Sequence, residues 1–559
     1  MNLTGNTLKK YGSYISLIIL TIIVSLIAYY RVIIQIDLGP ISDTCDFLSN
    51  ALVFAGQGMG YSDLIRPPFF SFLLSIPFRM GFVSTAAIFA LDGIMYIFGV
   101  IGLYFLLKIH FNEIESFLGG LLYATFSIVL VVLGVGFSDL ASVSIAIWAF
   151  YFLILAIEKD SKFFYLAFPM VMLSFLTRYN NALLIFPIFV YILINKDKIK
   201  SMKNIIGGIF VSLLLLVPVF LFFIQKFGNP FYPLINFFGT SSNPVSPENA
   251  AYDPNLFFFV EKLPLFIGIE GIIIIFIIIF GLLIYAFLKM RKNSLDIKGS
   301  FQKLIQKNSK LNLILFTALT IIILVSIGKI SYLYSEILLF IWIYSIYHIL
   351  KHLNIKNLEV HLLVLAWFLA FFLLHSGFLI KDNRYFVLMA PQIAYFLVLG
   401  LSAVCNRLKF KIRGYNLTFP IIAVIISIML ILSTASFLPV IQQANEDNKI
   451  TNENIITACQ WFANYDPNYK NKTIYADLWP NFAWYLQTNV KPMPVFKDNQ
   501  KYYGGVKEFN LTPQDNIAYN NELNNNNADY YFSIRPGLNL TNYEPIKKSG
   551  NLIIYKRVE

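Results

Sequence analysis

The chain has 559 residues, of which 57% are hydrophobic and only 13% charged, with a formal net charge of +12. A soluble domain carries about 25% charged residues, so the composition excludes an ordinary soluble protein and indicates a polytopic membrane protein. The surplus of Lys and Arg reads as the bias of cytoplasmic loops rather than as a nucleic-acid surface, and three cysteines make no disulfide framework.

The first apolar run follows Lys9 and Lys10 and is long enough to span as a signal anchor. Spans are predicted over roughly 13–36, 83–107, 116–134, 138–157, 163–177, 180–195, 204–225, 264–288, 311–328, 331–350, 359–380, 384–403 and 416–438, about thirteen in all. The fifth and sixth are short. They are joined by Thr177 to Asn181 and read as a tight hairpin. With the N-terminus inside, the inner segments carry more than twice the Lys and Arg of the outer ones, which supports an inward N-terminus and an outward C-terminal region. Cys45 and Cys459 then share the outer side, and that one pairing stays open.

This orientation gathers the polar passages on the outer side. The first is the loop from Ile41 to Phe70, with Asp43, Asp46 and Asp63, and Arg66 directly before Pro67 and Pro68. The others are Ser138-Asp139, Arg178-Tyr179-Asn180, the loop 227–264 with Asn229, and Lys381-Asp382-Asn383-Arg384-Tyr385. Asp92 falls inside the second span, where charge costs about 2.5–3.5 kcal/mol on insertion scales; it should face the bundle and have a partner. Glu336 and His375, near the outer ends of their spans, read as rim residues. Past residue 440 the chain turns polar, Asn-rich and Tyr-rich. We therefore divide it into a membrane domain, 1–440, and a soluble α/β domain, 441–559. In the latter a helix is predicted over 451–466 and strands over 472–478, 529–534 and 551–558, while 520–529 reads as a low-complexity loop.

Each candidate has a structural alternative. Asp43 is a general base or the N-cap of a short helix; Asp46, one turn on, shares its face. Arg66 binds substrate or pairs with Asp63, and Asp139 is a site residue or a helix cap. Arg178, Lys381 and Arg384 bind phosphate or anchor at lipid headgroups. The five histidines have no metal-ligand spacing. From another class, a transporter or flippase of lipid-linked sugars remains the rival, though no internal repeat supports it.

In order and sidedness, Ser42-Asp43 with Arg66-Pro67-Pro68, Ser138-Asp139, Leu176-Thr177-Arg178-Tyr179, Phe227 to Pro233 and Lys381 to Tyr385 resemble the polyprenyl-phosphate-dependent glycosyltransferases of the GT-C superfamily, with kinship to protein O-mannosyltransferases and lipid A aminoarabinose transferases. The resemblance implies a polytopic α-helical membrane protein with a small extracytoplasmic α/β domain, in a prokaryotic plasma membrane. It implies an inverting transfer of a sugar from a polyprenyl (dolichyl-type) phosphate to a glycan, lipid or protein acceptor on the outer face. Asp43, Asp46 and Asp139 are the catalytic candidates. Arg66, Arg178, Lys381 and Arg384 would bind the donor phosphate, and Tyr179, Asn180, Asn229 and Tyr385 would line the pocket. Adjacent acids are frequent in the family's first loop; here Thr44 follows Asp43 and the next acid is Asp46. Which acid is the base, and whether a divalent metal ion serves as cofactor, therefore stay open.

Overall fold

In a bilayer every backbone N–H and C=O must be paired within its own segment, so long apolar runs fold as helices. The computed structural model describes residues 5–58, 64–240, 246–291, 310–408, 411–412, 415–498 and 500–558. Among them, nine helices are long and apolar enough to cross a membrane, and three shorter apolar helices accompany them.

The order begins α1 (Gly5–Leu38), α2 (Ser42–Phe54), α3 (Pro68–Arg79), α4 (Thr85–Lys108), α5 (Glu113–Thr125), α6 (Ser127–Val132) and α7 (Ser138–Glu158). It continues with α8 (Phe164–Thr177), α9 (Ile185–Ile194), α10 (Met202–Phe227), α11 (Tyr232–Thr240), α12 (Phe258–Glu261) and α13 (Leu263–Arg291). Then come α14 (Lys310–Ser326), α15 (Tyr332–Leu350), α16 (Leu358–Gly377), α17 (Ala390–Arg407) and α18 (Thr418–Ala444). The predicted span 116–134 is two helices, broken at Phe126, whose ψ of 134° is extended. The predicted hairpin of two short helices is present as α8 and α9, with a 3₁₀ turn Tyr179–Leu184 between them.

α7 is buried along nearly its whole length and forms the centre of the bundle. α4 packs closely on it because glycines face it: a Cβ on Gly99 would collide with Ser144 Oγ, and one on Gly102 would lie 2.7 Å from the Trp148 ring nitrogen. Small residues at such crossings let helix backbones approach in lipid. By contrast, α10, α13 and α18 expose Leu213, Leu221, Phe276, Phe280, Val424 and Leu432, the pattern of lipid-facing helices. Asp92, fully buried in α4, accepts a hydrogen bond from Gly136 N at 3.2 Å. It thus has the partner that its depth demands.

The C-terminal part contains α19 (Glu446–Tyr465), α20 (Trp479–Leu486) and α21 (Pro513–Asn525). After a small pair β1 (Lys411–Ile412) and β2 (Tyr415–Asn416), its strands are β3 (Ile474–Ala476), β4 (Val490–Pro492), β5 (Val495–Lys497), β6 (Gln500–Tyr502), β7 (Tyr530–Ser533), β8 (Tyr543–Ser549) and β9 (Leu552–Arg557). Five form one sheet in the order β4-β3-β7-β9-β8, and β5–β6 is a separate hairpin. The low-complexity reading of 520–529 is corrected here, since 520–525 are helical. Thr512 and Asp515 form a capping box with Pro513 in the first turn, and Tyr519 and Leu523 bury one face. The asparagines do not prevent helix because those on the buried side bond backbone: Asn520 Nδ2 donates to Asn516 O at 2.8 Å.

This part is fastened to the helices at two places. Trp484 of α20 stacks on Phe78 of α3 at 6.2 Å, inside a core shared with Phe47 and Leu48 of α2. The second is the stretch 246–253. Ala250 N donates to Gly505 O at 3.1 Å and Lys507 N to Glu248 O at 2.9 Å, while Lys381 N donates to Ala251 O at 2.9 Å and Asp253 N to Leu379 O at 2.8 Å. It therefore joins the C-terminal part to the segment between α16 and α17. Cys45 and Cys459 are free, each buried in a different core.

Candidate active site

The turn from α1 into α2 runs through Gly39 and Pro40. Gly39 has φ +80°, and a Cβ there would lie 2.9 Å from Asn452 Nδ2. α2 starts at Ser42 with Ile41 as its N-cap, so Asp43 lies in the first turn and makes no cap bond. It is placed where the helix N-terminus favours an anion. Thr44 Oγ1 donates to Val135 O at 2.9 Å. That bond ties α2 to the loop 133–137, which delivers Asp139 into the first turn of α7. Phe137 is the N-cap there, and Asp139 makes no cap bond.

Six charged side chains from distant elements meet at this point. Asp43 Oδ1 is 3.1 Å from Arg66 Nη2, and Asp43 Oδ2 is 2.7 Å from Arg384 Nη1. Arg66 Nη2 also reaches Asp46 Oδ2 at 2.6 Å. Arg178 Nη1 is 2.6 Å from Asp139 Oδ1. The Tyr385 ring joins the two groups, with the Arg178 guanidinium 5.2 Å and that of Arg384 5.8 Å from its centroid. Arg178 is held in register by its turn: Asn181 Nδ2 donates to Ser174 Oγ at 2.6 Å, and Ser174 Oγ to Ser142 O at 2.8 Å.

Exposure separates the three acids. The side chains of Asp46 and Asp139 are each 2% exposed, that of Asp43 31%. Burial pushes the Asp43 carboxyl up, but the guanidinium groups of Arg66 and Arg384 beside it outweigh this and hold it at about 2. It is an ionised, reachable carboxylate at neutral pH.

Other sequence candidates fall elsewhere. Lys381 is buried, and its Nζ donates to the carbonyls of His375 and Ser376 at 2.9 and 2.6 Å. It closes the C-terminal end of α16, and burial lowers its ammonium to about 8, with Asp253 opposing. Tyr179 is buried edge-on against Phe237 of α11 at 5.3 Å. Asn180, beside it, is half-buried. Asn229 accepts from Phe231 N at 2.9 Å within its own turn after α10. Asp63, the alternative partner of Arg66, lies outside the described residues. Glu336 and His375 are both buried rather than rim-exposed. His375 stacks on Tyr385 at 4.6 Å and so supports the site from beneath; Glu336 has no hydrogen-bond partner among the described residues.

Sequence reasoning passed over Phe137, whose ring lies 4.5 Å under the Arg384 guanidinium, and Asp382, whose Oδ2 is 2.9 Å from Arg384 Nε. Its adjacency to Arg384 was a signal for Asp382; nothing local marked Phe137. Among the described residues no group of three or more His, Cys, Asp and Glu side chains is placed to hold a metal ion.

Residues 65–222 match the family described as dolichyl-phosphate-mannose-protein mannosyltransferase. That stretch carries Arg66, Asp139 and Arg178 but not Asp43 or Arg384. No curated protein matches the chain. Among solved structures it is similar to ArnT from Cupriavidus metallidurans bound to undecaprenyl phosphate, with 11% identity, 96% of this chain and 97% of that one covered, and a TM-score of 0.52. It is also similar to the oligosaccharyltransferase AglB from Archaeoglobus fulgidus in complex with an inhibitory peptide and a dolichol-phosphate, with 14% identity, 94% and 69% covered, and a TM-score of 0.51. The chain is thus an integral membrane protein with the GT-C fold.

Proposed function

We propose that the chain is an inverting membrane glycosyltransferase that moves a sugar from a polyprenyl (dolichyl-type) phosphate to a glycan, lipid or protein acceptor. The observation that carries this reading is the half-open Asp43 carboxylate held between two arginines, beside a second Arg–Asp pair on the same aromatic ring. The family match and the lipid phosphates named for ArnT and AglB support the donor class.

In this mechanism the donor tail stays in the bilayer and its phosphate lies against Arg178 and Arg384, whose planar forks suit phosphate oxygens. As the C–O bond to phosphate breaks, these cations stabilise the charge that collects on the leaving group. The acceptor hydroxyl attacks the anomeric carbon from the opposite face and passes its proton to Asp43. A carboxylate at about 2 is a weak base, but phosphate competing for Arg384 withdraws one of its cations and raises its basicity as the donor binds. Asp46 holds Arg66, Asp139 holds Arg178, and Tyr385 spaces the two arginines. Tyr179 and Asn180 follow Arg178 directly in its turn, and Asn229 closes its own turn after α10. Lys381 acts through the α16 end that it closes. The basic loops support a cytoplasmic N-terminus and a soluble domain 441–559 outside, and the family resemblance with that compact outer domain supports a prokaryotic plasma membrane.

The test is loss of sugar from a panel of polyprenyl-phosphate sugars by the purified protein. Asp43→Asn should lower donor-dependent turnover by about 10² or more. Turnover that survives in Asp43→Asn would transfer the role to Asp46 or Asp139. Transbilayer movement of intact donor would refute transfer in favour of a flippase.

A further inference from the structure

The C-terminal sheet holds a constellation that the reaction above leaves unused. Strands β4, β3 and β7 run parallel. From β3 the chain passes through α20 to β4 on one side, then returns through α21 to β7 on the other. α20 buries Phe482 and Leu486 in a core with Ile455 and Phe462 of α19, whereas α21 buries Tyr519 and Leu523 in a separate core with Tyr475 and Tyr531. The two helices therefore cover opposite faces, and β3/β7 is a topological switch point. Open α/β sheets leave a crevice at the carboxyl ends of their strands at such points, and ligands bind there.

The residues at those carboxyl ends are Asp477, just after β3, and Ser533, Ile534 and Arg535 at the end of β7. The Asp477 side chain is 4% exposed and saturated with donors. Its Oδ1 accepts from Tyr531 Oη at 2.8 Å and Arg535 Nε at 3.2 Å, its Oδ2 from Ile534 N at 3.0 Å and Ser533 Oγ at 3.2 Å. Arg535 commits only Nε to this carboxylate. Its guanidinium lies 5.6 Å from the centroid of the Tyr519 ring, and the Tyr519 hydroxyl accepts from Phe496 N at 3.2 Å. Neither Nη1 nor Nη2 has a hydrogen-bond partner among the described residues, and the side chain is 21% exposed. Here the acid takes one edge, fixes the plane on an aromatic ring and leaves the Nη1–Nη2 edge outward, which is the edge that meets two oxygens of a carboxylate or phosphate.

We propose that Arg535 is an oxyanion-binding residue, oriented by Asp477 and Tyr519, that holds a phosphate or carboxylate of the acceptor. The site itself stands apart from the glycosyltransferase reading; its assignment to the acceptor rests on it. Contacts run from this crevice to the candidate active site. Phe496 bonds Tyr519, Lys497 beside it pairs with Glu248, and the 246–253 stretch pairs with 379–381, three residues before Arg384. The acceptor is then an anionic glycan or headgroup rather than a neutral sugar.

Hydrogen exchange of the full chain in detergent, read peptide by peptide, tests this with inorganic phosphate and with glucuronate at constant ionic strength. At an anion concentration about ten times its Kd, linkage slows exchange in a protected segment about tenfold, and this should appear over 533–540. Arg535→Lys keeps the charge beside Asp477 but lacks the fork, so it should lose the protection while exchange elsewhere stays unchanged; Arg535→Gln serves if Lys loosens the turn. Protection by phosphate supports a phosphorylated acceptor, and protection by glucuronate an acidic glycan. Protection by neither, or protection that persists in both variants, overturns the proposal. Donor turnover is scored separately: turnover without protection removes the anion site alone, while protection without turnover keeps it and removes glycosyl transfer.

Discussion

Asp43 and Arg384 illustrate how a few groups set the chemistry. Two guanidinium groups keep the Asp43 carboxyl at about 2, so it carries its charge throughout the working range. In the proposed mechanism the carboxylate is the active form, and a depressed value is crossed only in strong acid, so kcat/KM should be flat with respect to this group from about pH 5 to 8. Arg384→Gln removes one cation and leaves the upward push of burial less opposed. Its acid limb should therefore move to higher pH in the rate profile, and an unmoved limb would refute the pairing. Asp43 was legible in the sequence as an acid soon after the first span. That it pairs with Arg384, 341 residues away, was not, because no local pattern reports which distant cation packs beside it.

Among the elements, the loop between α6 and α7 is tightly constrained. Gly136 has φ +86°, its N–H bonds Asp92, and a Cβ there would lie 2.9 Å from Thr44 Cγ2 and 3.0 Å from Ile88. It sits next to Phe137 and three residues before Asp139. Gly136→Val combines backbone strain with overpacking worth about 1–3 kcal/mol. It should lower the melting temperature in detergent and also turnover, since α2 and α7 separate. A variant with unchanged melting and turnover would count against this account. Helix positions were read well from hydropathy, since long apolar runs have one stable fate in lipid. The break at Phe126 and the helicity of 520–525 were not read. The first depends on how α6 packs. The second came from a capping box whose strength the run of asparagines concealed.

In the whole molecule, the C-terminal part and the bundle share a core at Trp484. Removing such a side chain costs about 3–5 kcal/mol, so Trp484→Ala should make the chain near residue 445 more sensitive to limited proteolysis while the membrane helices stay intact. Equal digestion rates would mean that the 246–253 stretch holds the two parts by itself. Orientation is testable at the same scale. Lys548 is exposed on β8, and Lys548→Cys should react with a membrane-impermeant maleimide on intact cells; labelling only after lysis would reverse the proposed topology.

From the sequence alone came the membrane class, the approximate spans, the one-sided grouping of polar passages and the change of character near residue 440. Hydropathy, charge bias and helix periodicity are short-range properties, written into each segment before it packs. Tertiary structure alone decided that Arg66 and Arg384 bracket Asp43, that Asp46 and Asp139 are buried behind it, that Lys381 is spent on the end of α16, and that Arg535 holds one edge outward at the switch point. These are choices of partner between segments far apart in the chain. Burial and packing geometry make them, because the charge and exposure of a side chain depend on what the fold places next to it.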